Sequence, residues 1–155
     1  MKDTIHDIAW GNKIDKMKKL LKKGIDINER DDEFGNSPLM TAIAERNEEM
    51  ALLLIENGAD VMVQNKERYN ALHYAAIYNN LAVAQAILEI STNPLHAEDM
   101  HKSQPLYRAL RNACKEPFTM IKLFLDKGAD KNHGSLSEWL KIFDIEELTK
   151  LFERY

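Results

Sequence analysis

One short segment of this sequence collects residue types that bind metal ions. His96 and His101 flank Glu98 and Asp99, and imidazole and carboxylate groups are zinc ligands in proteins. Their spacing matches no zinc motif, and because the segment follows Pro94 we expect a loop in which the four side chains have no fixed geometry. We therefore predict surface residues here, with no bound metal and no other cofactor.

Covalent catalysis has no better support in the sequence. The single cysteine, Cys114, has no histidine at a spacing that would activate its thiol, and His133 stands alone in its segment. The six glycines are spread singly, so the sequence contains no glycine-rich phosphate loop. No two carboxylates are predicted to face each other in a cleft. We predict that the protein is not an enzyme.

The composition is ordinary for one globular domain that spans residues 1–155, with 45% hydrophobic and 30% charged residues. The net charge of −4 argues against a nucleic-acid partner, which would require a basic surface. No apolar run approaches the roughly 20 residues that span a bilayer, and the N-terminus lacks the apolar stretch of a signal peptide. With one cysteine, these features predict a cytoplasmic protein without a membrane partner, either a monomer or part of a heterocomplex.

Two short motifs recur at intervals of about 33 residues, which indicates a repeat architecture. NGAD at residues 57–60 matches KGAD at residues 127–130 and, in two of four places, KGID at residues 23–26. The second motif is related to SPLM and occurs at residues 3–6, 37–40, 70–73 and 104–107.

A third pattern places four residues at positions i, i+1, i+4 and i+5, on one face of a helix. The inner copies are wholly apolar: Met50, Ala51, Leu54 and Ile55; Val83, Ala84, Ile87 and Leu88; Met120, Ile121, Phe124 and Leu125. The terminal copies each contain one charge: Lys16, Met17, Leu20 and Leu21; Glu147, Leu148, Leu151 and Phe152. A charge is expected there, because one side of a terminal repeat meets water instead of a neighbouring repeat.

Together these motifs resemble the ankyrin-repeat family, whose unit of about 33 residues has the signature TPLHxA. The nearest matches are NALHYAA at residues 70–76 and NGADV at residues 57–61. The resemblance implies an all-α solenoid of about four helix-turn-helix repeats with short β-turn fingers. The repeats are expected at approximately 3–31, 32–64, 65–98 and 99–133, with a truncated C-terminal pair of capping helices in residues 134–155. His6 and His73 occupy the signature histidine position, where hydrogen bonds of the side chain order the turn.

Residues that favour helix ends fall at suitable places in each repeat. Ser37 is a predicted N-cap, and a proline is predicted as the first helical residue at Pro38 and Pro105. Glycines follow the second helices, where a positive φ ends a helix without strain: Gly24, Gly58 and Gly128. A capping-box pattern at residues 135–138 predicts one further helix.

The sequence departs from the family pattern in the third and fourth repeats. STNP at residues 91–94 replaces the usual Gly-Ala-Asp, which predicts a reshaped finger. Three extra residues within 112–117 are predicted to form a turn, because Pro117 cannot lie inside a helix. Arg68 and Lys102 fall at the fingertip position that Gly35 occupies, so these two residues either avoid positive φ or are strained.

The resemblance also implies where the chain binds, because the fingers and first helices of an ankyrin stack line a concave groove. The expected partner-binding residues are Trp10, Asp31, Glu33, Phe34, Asn36, Glu45, Lys66, Tyr69, Ile77, Tyr78, His101, Arg111 and Asn112. Several of them are aromatic residues or arginine, which dominate interface energies, at positions that the fold alone is expected to leave in water.

The local charge favours a protein partner with a basic surface. Residues 26–33 contain five acidic residues and one arginine, a balance of −4, and such charges speed association and orient a partner. The lysines of residues 13–23 are interpreted as the solvated outer face of the first repeat. The leading hypothesis is a stand-alone binding protein that inhibits or sequesters its partner, as an immunity protein does with a toxin. The alternative is a scaffold or assembly subunit that stabilises a complex without inhibiting it.

Overall fold

A computed structural model describes residues 3–112, 118–134 and 146–155. Within these ranges the chain forms nine α-helices and one 3₁₀ turn, and no β-strand. The helices are α1 (Ile5–Trp10), α2 (Ile14–Leu21), α3 (Pro38–Ala44), α4 (Glu48–Glu56), α5 (Ala71–Ile77), α6 (Leu81–Ile90), α7 (Pro105–Asn112), α8 (Thr119–Asp126) and α9 (Glu146–Glu153). The prediction of an all-α repeat stack is confirmed. Cys114, Pro117 and the capping box at residues 135–138 lie outside the described residues.

The helices are arranged as two stacked rows. The first helices of successive repeats, α1, α3, α5 and α7, each pack on the next, and so do the second helices α4, α6 and α8. Within each repeat the first helix packs on the second. None of the helices in the described ranges combines the length and the apolarity that crossing a membrane requires.

The core between the two rows combines the repeated quartets of the second helices with apolar residues of the first helices. Every residue of the three inner quartets is at most 7% exposed. In the terminal quartets, Met17 and Leu148 are buried, whereas Leu20 and Leu151 are half-buried and Lys16 is exposed. Complete burial of a leucine or isoleucine side chain contributes about 1.5–3 kcal/mol, so the inner interfaces between repeats are the stronger ones.

The helix ends follow the sequence signals. The hydroxyl of Ser37 accepts a hydrogen bond from the backbone N–H of Met40 at 3.3 Å, and α3 and α7 begin at prolines. The φ angles after the second helices are 73° at Gly24, 86° at Gly58 and 91° at Gly128. These predictions are confirmed, because each residue type satisfies the backbone geometry at its position.

The end of the third repeat differs from the predicted loop. Asn93–His96 forms a 3₁₀ turn, and Leu95 within it is fully buried. The side-chain amide of Asn70 donates to the carbonyl oxygen of Pro94 at 3.0 Å. A buried leucine and a buried hydrogen bond therefore hold the reshaped segment against α5.

The fingers are tight turns that are linked to one another. The backbone N–H of Asn65 donates to the carbonyl of Tyr69 at 2.9 Å and closes one finger, and the N–H of Lys66 donates to the carbonyl of Phe34 at 2.9 Å in the preceding finger. At the tips, Gly35 has a φ of 71°, Arg68 of 64° and Lys102 of 58°. Arg68 and Lys102 therefore adopt the left-handed conformation at a cost that glycine avoids.

We expect Arg68→Gly to raise the free energy of unfolding by about 0.5 kcal/mol. Relief of the left-handed strain is worth about 1–2 kcal/mol, and the added freedom of glycine in the unfolded chain offsets about 0.5–1 kcal/mol of this. Urea denaturation measures the change. Glu67→Gly, at a neighbouring position with negative φ, is the matched control and should be destabilising. A loss of stability in both variants would contradict strain at Arg68.

Candidate binding groove

A concave groove of about 730 Å³ runs along the first helices of three repeats and two fingers. It is lined from α1, α3 and α5 and from the turns before α3 and α5. The lining residues are His6, Asp7, Trp10, Asp31, Asp32, Glu33, Phe34, Asn36, Thr41, Ala44, Glu45, Asn65, Glu67, Tyr74 and Tyr78.

Two large aromatic side chains of this groove are exposed to solvent. Trp10, the last residue of α1, is 63% exposed, and Phe34, in the finger before α3, is 52% exposed. The backbone at Trp10 is fixed, because its carbonyl accepts a hydrogen bond from the side-chain amide of Asn47 at 2.8 Å. Exposed rings on a fixed backbone gain buried area when a partner covers them, at a small entropic cost.

The groove is strongly acidic. Six carboxylates line it and, among the described residues that do so, there is no lysine or arginine. The carboxylate of Asp31 accepts hydrogen bonds from three backbone N–H groups of its own finger. Asp7 accepts bonds from the backbone N–H and the hydroxyl of Thr4, which lower its pKa. In the part of the chain that the structure describes, the other four, Asp32, Glu33, Glu45 and Glu67, have no intramolecular partner for their carboxylates.

Tyr74 is a groove residue that the sequence analysis missed. Its hydroxyl donates to Oδ1 of Asn36 at 2.9 Å, and its ring stacks on Tyr78 with centroids 6.0 Å apart. Burial raises the pKa of Tyr74 to about 12, so the hydroxyl keeps its proton. Its position four residues before Tyr78 on the same helix could have revealed it, because residues at i and i+4 share a face.

Two predicted site residues make contacts within the protein that hold the fingers together. The ammonium group of Lys66 donates to the carbonyl oxygens of Asp32 at 2.6 Å and Glu33 at 3.0 Å. Oδ1 of Asn36 accepts from Tyr74, as described above, and from the side-chain amide of Asn65 at 2.9 Å. Asn36 lines the groove, whereas Lys66 lies outside the lining residues.

Tyr69 was expected in water, and that expectation is wrong. It is half-buried, its ring centroid lies 5.5 Å from that of His73, and the guanidinium of Arg108 lies 5.0 Å from the ring centroid. Burial raises the pKa of its hydroxyl. The reason is Arg108, which comes from the next repeat and covers the ring.

The remaining predicted site residues lie outside the residues that line the groove. Ile77 is half-buried, as is Tyr78 within the groove, so these two also differ from the expectation of full exposure. His101 and Arg111 are exposed, in the third finger and the last turn of α7. Asn112 belongs to α7, and its side chain lies outside the described part of the structure.

Asp99 was predicted to be a surface residue, which the structure contradicts. It is 0% exposed and forms an ion pair with Arg108, whose Nε and second guanidinium nitrogen both donate to Oδ2, the Nε at 3.0 Å. Its other oxygen accepts from the backbone N–H groups of His101 and Ser103 at 2.7 and 3.0 Å. Although burial by itself would raise the pKa of Asp99, Arg108 and these N–H groups hold it below its ordinary value.

The side chains of three histidines have structural partners. Nε2 of His73 donates to the carbonyl of Ser103 at 3.1 Å, and burial lowers the pKa of His73 to about 4, so the ring is neutral near pH 7. Nε2 of His6 donates to the carbonyl of Glu29 at 3.0 Å. His133, which stands alone in the sequence, lies 3.2 Å from the carboxylate of Glu98. In the described ranges no three metal-binding side chains converge.

Comparison with known proteins places these features in context. The family model for ankyrin repeats (three copies) matches residues 5–98 and, in an overlapping second match, residues 62–135. Inversin of Mus musculus is 24% identical over 155 residues, which cover 97% of this chain and 14% of that protein. A putative ankyrin repeat protein of Acanthamoeba polyphaga mimivirus is 31% identical over 110 residues, covering 70% of this chain and 14% of that protein. Human transient receptor potential cation channel subfamily A member 1 is 29% identical over 137 residues, 83% of this chain and 12% of the channel. The chain thus corresponds to a small part of each of these relatives.

Proposed function

The chain belongs to the ankyrin-repeat family, whose repeats generally mediate protein–protein interaction without catalysis, and we propose that it binds a partner protein with a basic surface in the concave groove. Stacked repeats create extended concave surfaces of this kind. The proposed function of this surface is binding, with no catalytic step.

The observation that carries the proposal is the pair of exposed aromatic side chains inside an acidic groove. Trp10 and Phe34 are each more than half exposed, and a well-buried aromatic anchor contributes about 2 kcal/mol or more to an interface. The surrounding carboxylates attract a basic partner and set its orientation. The rings supply affinity, and the charges supply selectivity.

We further propose that binding inhibits or sequesters the partner, in the manner of an immunity protein. The physical basis is steric, because a basic surface held in the groove is covered and cannot contact its usual target. Addition of the purified protein to the captured partner should then abolish the partner's activity. Recovery of a fully active partner in a complex of fixed stoichiometry would instead identify a scaffold or assembly subunit.

Trp10→Ala combined with Phe34→Ala should reduce partner binding at least about tenfold, because two aromatic anchors are lost. The wild type, this double variant and the control Ile90→Ser are used as baits in parallel, and bound proteins are quantified by mass spectrometry. Ile90 is 58% exposed on α6, outside the groove, so its replacement should preserve capture. Proteins retained equally by all three baits would show that the groove is not the binding site.

A further inference from the structure

We propose that the partner presents a segment with arginine side chains, and that at least one guanidinium enters the groove to pair with carboxylates and stack on an aromatic ring. This inference rests on the proposed function and specifies the chemistry of the occupant. It follows from the shape of the groove, its uncompensated charge and a comparable arrangement elsewhere in the same chain.

The shape of the groove favours projecting side chains. A concave volume of about 730 Å³ cannot be filled by a flat protein face, and a partner must insert groups into it to exclude water. Glu33 and Glu67 approach it from two fingers, whereas Glu45 approaches from the end of α3. A long cationic side chain that enters between them is attracted by the carboxylates of both fingers and of α3.

The acidic groove has one neighbouring cation in the described structure, the Lys66 ammonium, which binds backbone carbonyls and no carboxylate. Glu33, Glu45 and Glu67 have no intramolecular ion pair there, and like charges around one concavity repel each other. A bound cation removes this repulsion and adds its own attraction. Complementary charge therefore identifies a cationic occupant.

The chain itself contains a comparable combination of a guanidinium, a carboxylate and an aromatic ring. The guanidinium of Arg108 is bonded to the carboxylate of Asp99 and lies 5.0 Å from the centroid of the Tyr69 ring. The residues at the same position of the earlier repeats are Asp7, Thr41 and Tyr74, spaced by 34 and 33 residues and followed by Arg108 after another 34. Among these four residues only Arg108 is a cation. In the third repeat the hydroxyl of Tyr74 fills the same place through hydrogen bonds with Asn36 and Asn65, so Arg108 shows how this chain holds a guanidinium, whereas a cation for the groove has to come from a partner.

The same comparison selects arginine over lysine. A guanidinium is planar, donates to carboxylates in a fixed fork and stacks on aromatic faces, whereas an ammonium group is more strongly hydrated and does not stack. The groove offers carboxylates and aromatic rings together, as at Arg108. A lysine would pair with the carboxylates but would not stack on the aromatic rings.

The probe for this proposal is a capped six-residue peptide with two arginines, compared with otherwise identical peptides that carry lysine or neutral citrulline. Binding is followed by the NMR signal of the Trp10 indole N–H, which is assigned with Trp10→Phe. We expect the arginine peptide to shift this signal saturably, the lysine peptide to bind several-fold more weakly, and the citrulline peptide at least about tenfold more weakly. Equal binding of the citrulline or lysine peptide, or no shift with arginine, would overturn the proposal.

Charge variants provide the matched controls. The double variant Glu33→Gln, Glu45→Gln should bind the arginine peptide at least about fivefold more weakly. Glu56 is an exposed residue of α4 outside the groove, so Glu56→Gln should leave the affinity for the peptide unchanged. Equal affinity in all three proteins would also overturn the proposal. If the arginine peptide fails while Trp10 and Phe34 still govern capture of a partner, this inference fails alone. If the aromatic double variant captures the partner undiminished, the proposed function fails too.

Discussion

Arg108→Ala should lower the free energy of unfolding by about 3–5 kcal/mol, the usual cost of removing one member of a buried ion pair. Asp99 is 0% exposed and Arg108 is 9% exposed, so the variant leaves a buried carboxylate without its cation. The same change removes the guanidinium that covers the ring of Tyr69. Urea denaturation followed by circular dichroism measures the loss.

The effect of Arg108→Ala should depend on pH in a defined direction. In the wild type the pKa of Asp99 is held below its ordinary value, so the stabilisation is complete at neutral pH and is lost as the pH falls through that lowered pKa. In the variant the cation that lowers the pKa of this carboxyl is missing, so the pKa of Asp99 in the folded variant lies above its pKa in the folded wild type. The difference in stability between the two proteins should therefore shrink as the pH falls through the pKa of this carboxyl in the folded variant.

Two further variants test the assignment to a buried charge. Lys150→Ala removes the exposed pair with Glu146 and should change stability by less than about 0.5 kcal/mol. Arg108→Met combined with Asp99→Asn removes both charges and keeps an oxygen for the N–H groups of His101 and Ser103, so it should be less destabilising than Arg108→Ala. A double variant as unstable as Arg108→Ala would show that the lost contacts, and not the unpaired charge, cause the effect.

Leu54→Ala should lower the free energy of unfolding by about 2–5 kcal/mol, since it leaves a cavity in a closely packed core. Leu54 is 0% exposed on α4, a helix that packs on α3 and α6. A domain of this size has about 5–15 kcal/mol of stability in total, so the loss would be a large part of it. Urea denaturation at neutral pH gives the value.

The matched control for this prediction is Leu20→Ala, at the corresponding position of the first repeat. Leu20 is half-buried, and the same chemical change should therefore be about half as destabilising. Equal losses at the two positions would contradict the view that stacking of neighbouring repeats provides the burial.

The repeats, their helix ends and their core could be predicted because each is encoded locally. Ser37, Pro38 and Gly58 act on backbone groups within a few residues of themselves. The quartet around Leu54 places four side chains on one helical face whatever the partner is. A unit of this kind cannot bury its face alone, so the recurrence of the unit also predicted the stack.

The site was less predictable, because the exposure of each side chain depends on its contacts with residues of the neighbouring repeat. Trp10, Phe34 and Glu45 were expected at the groove and line it. Tyr69 has the same aromatic character as Trp10, but Arg108 of the next repeat lies over its ring, and nothing near Tyr69 in the sequence indicates this contact.

The sequence by itself determined the helices, the order of the repeats and the apolar faces, because these follow from propensities and periodicities within about 33 residues. Only the tertiary structure decided which charges are buried and which remain available. Asp99 forms an ion pair with Arg108, nine residues away across a turn that is fixed by packing. Glu33 and Glu45 form no ion pair in the described structure. Burial and charge pairing depend on distances between repeats, and those distances exist only once the repeats have stacked.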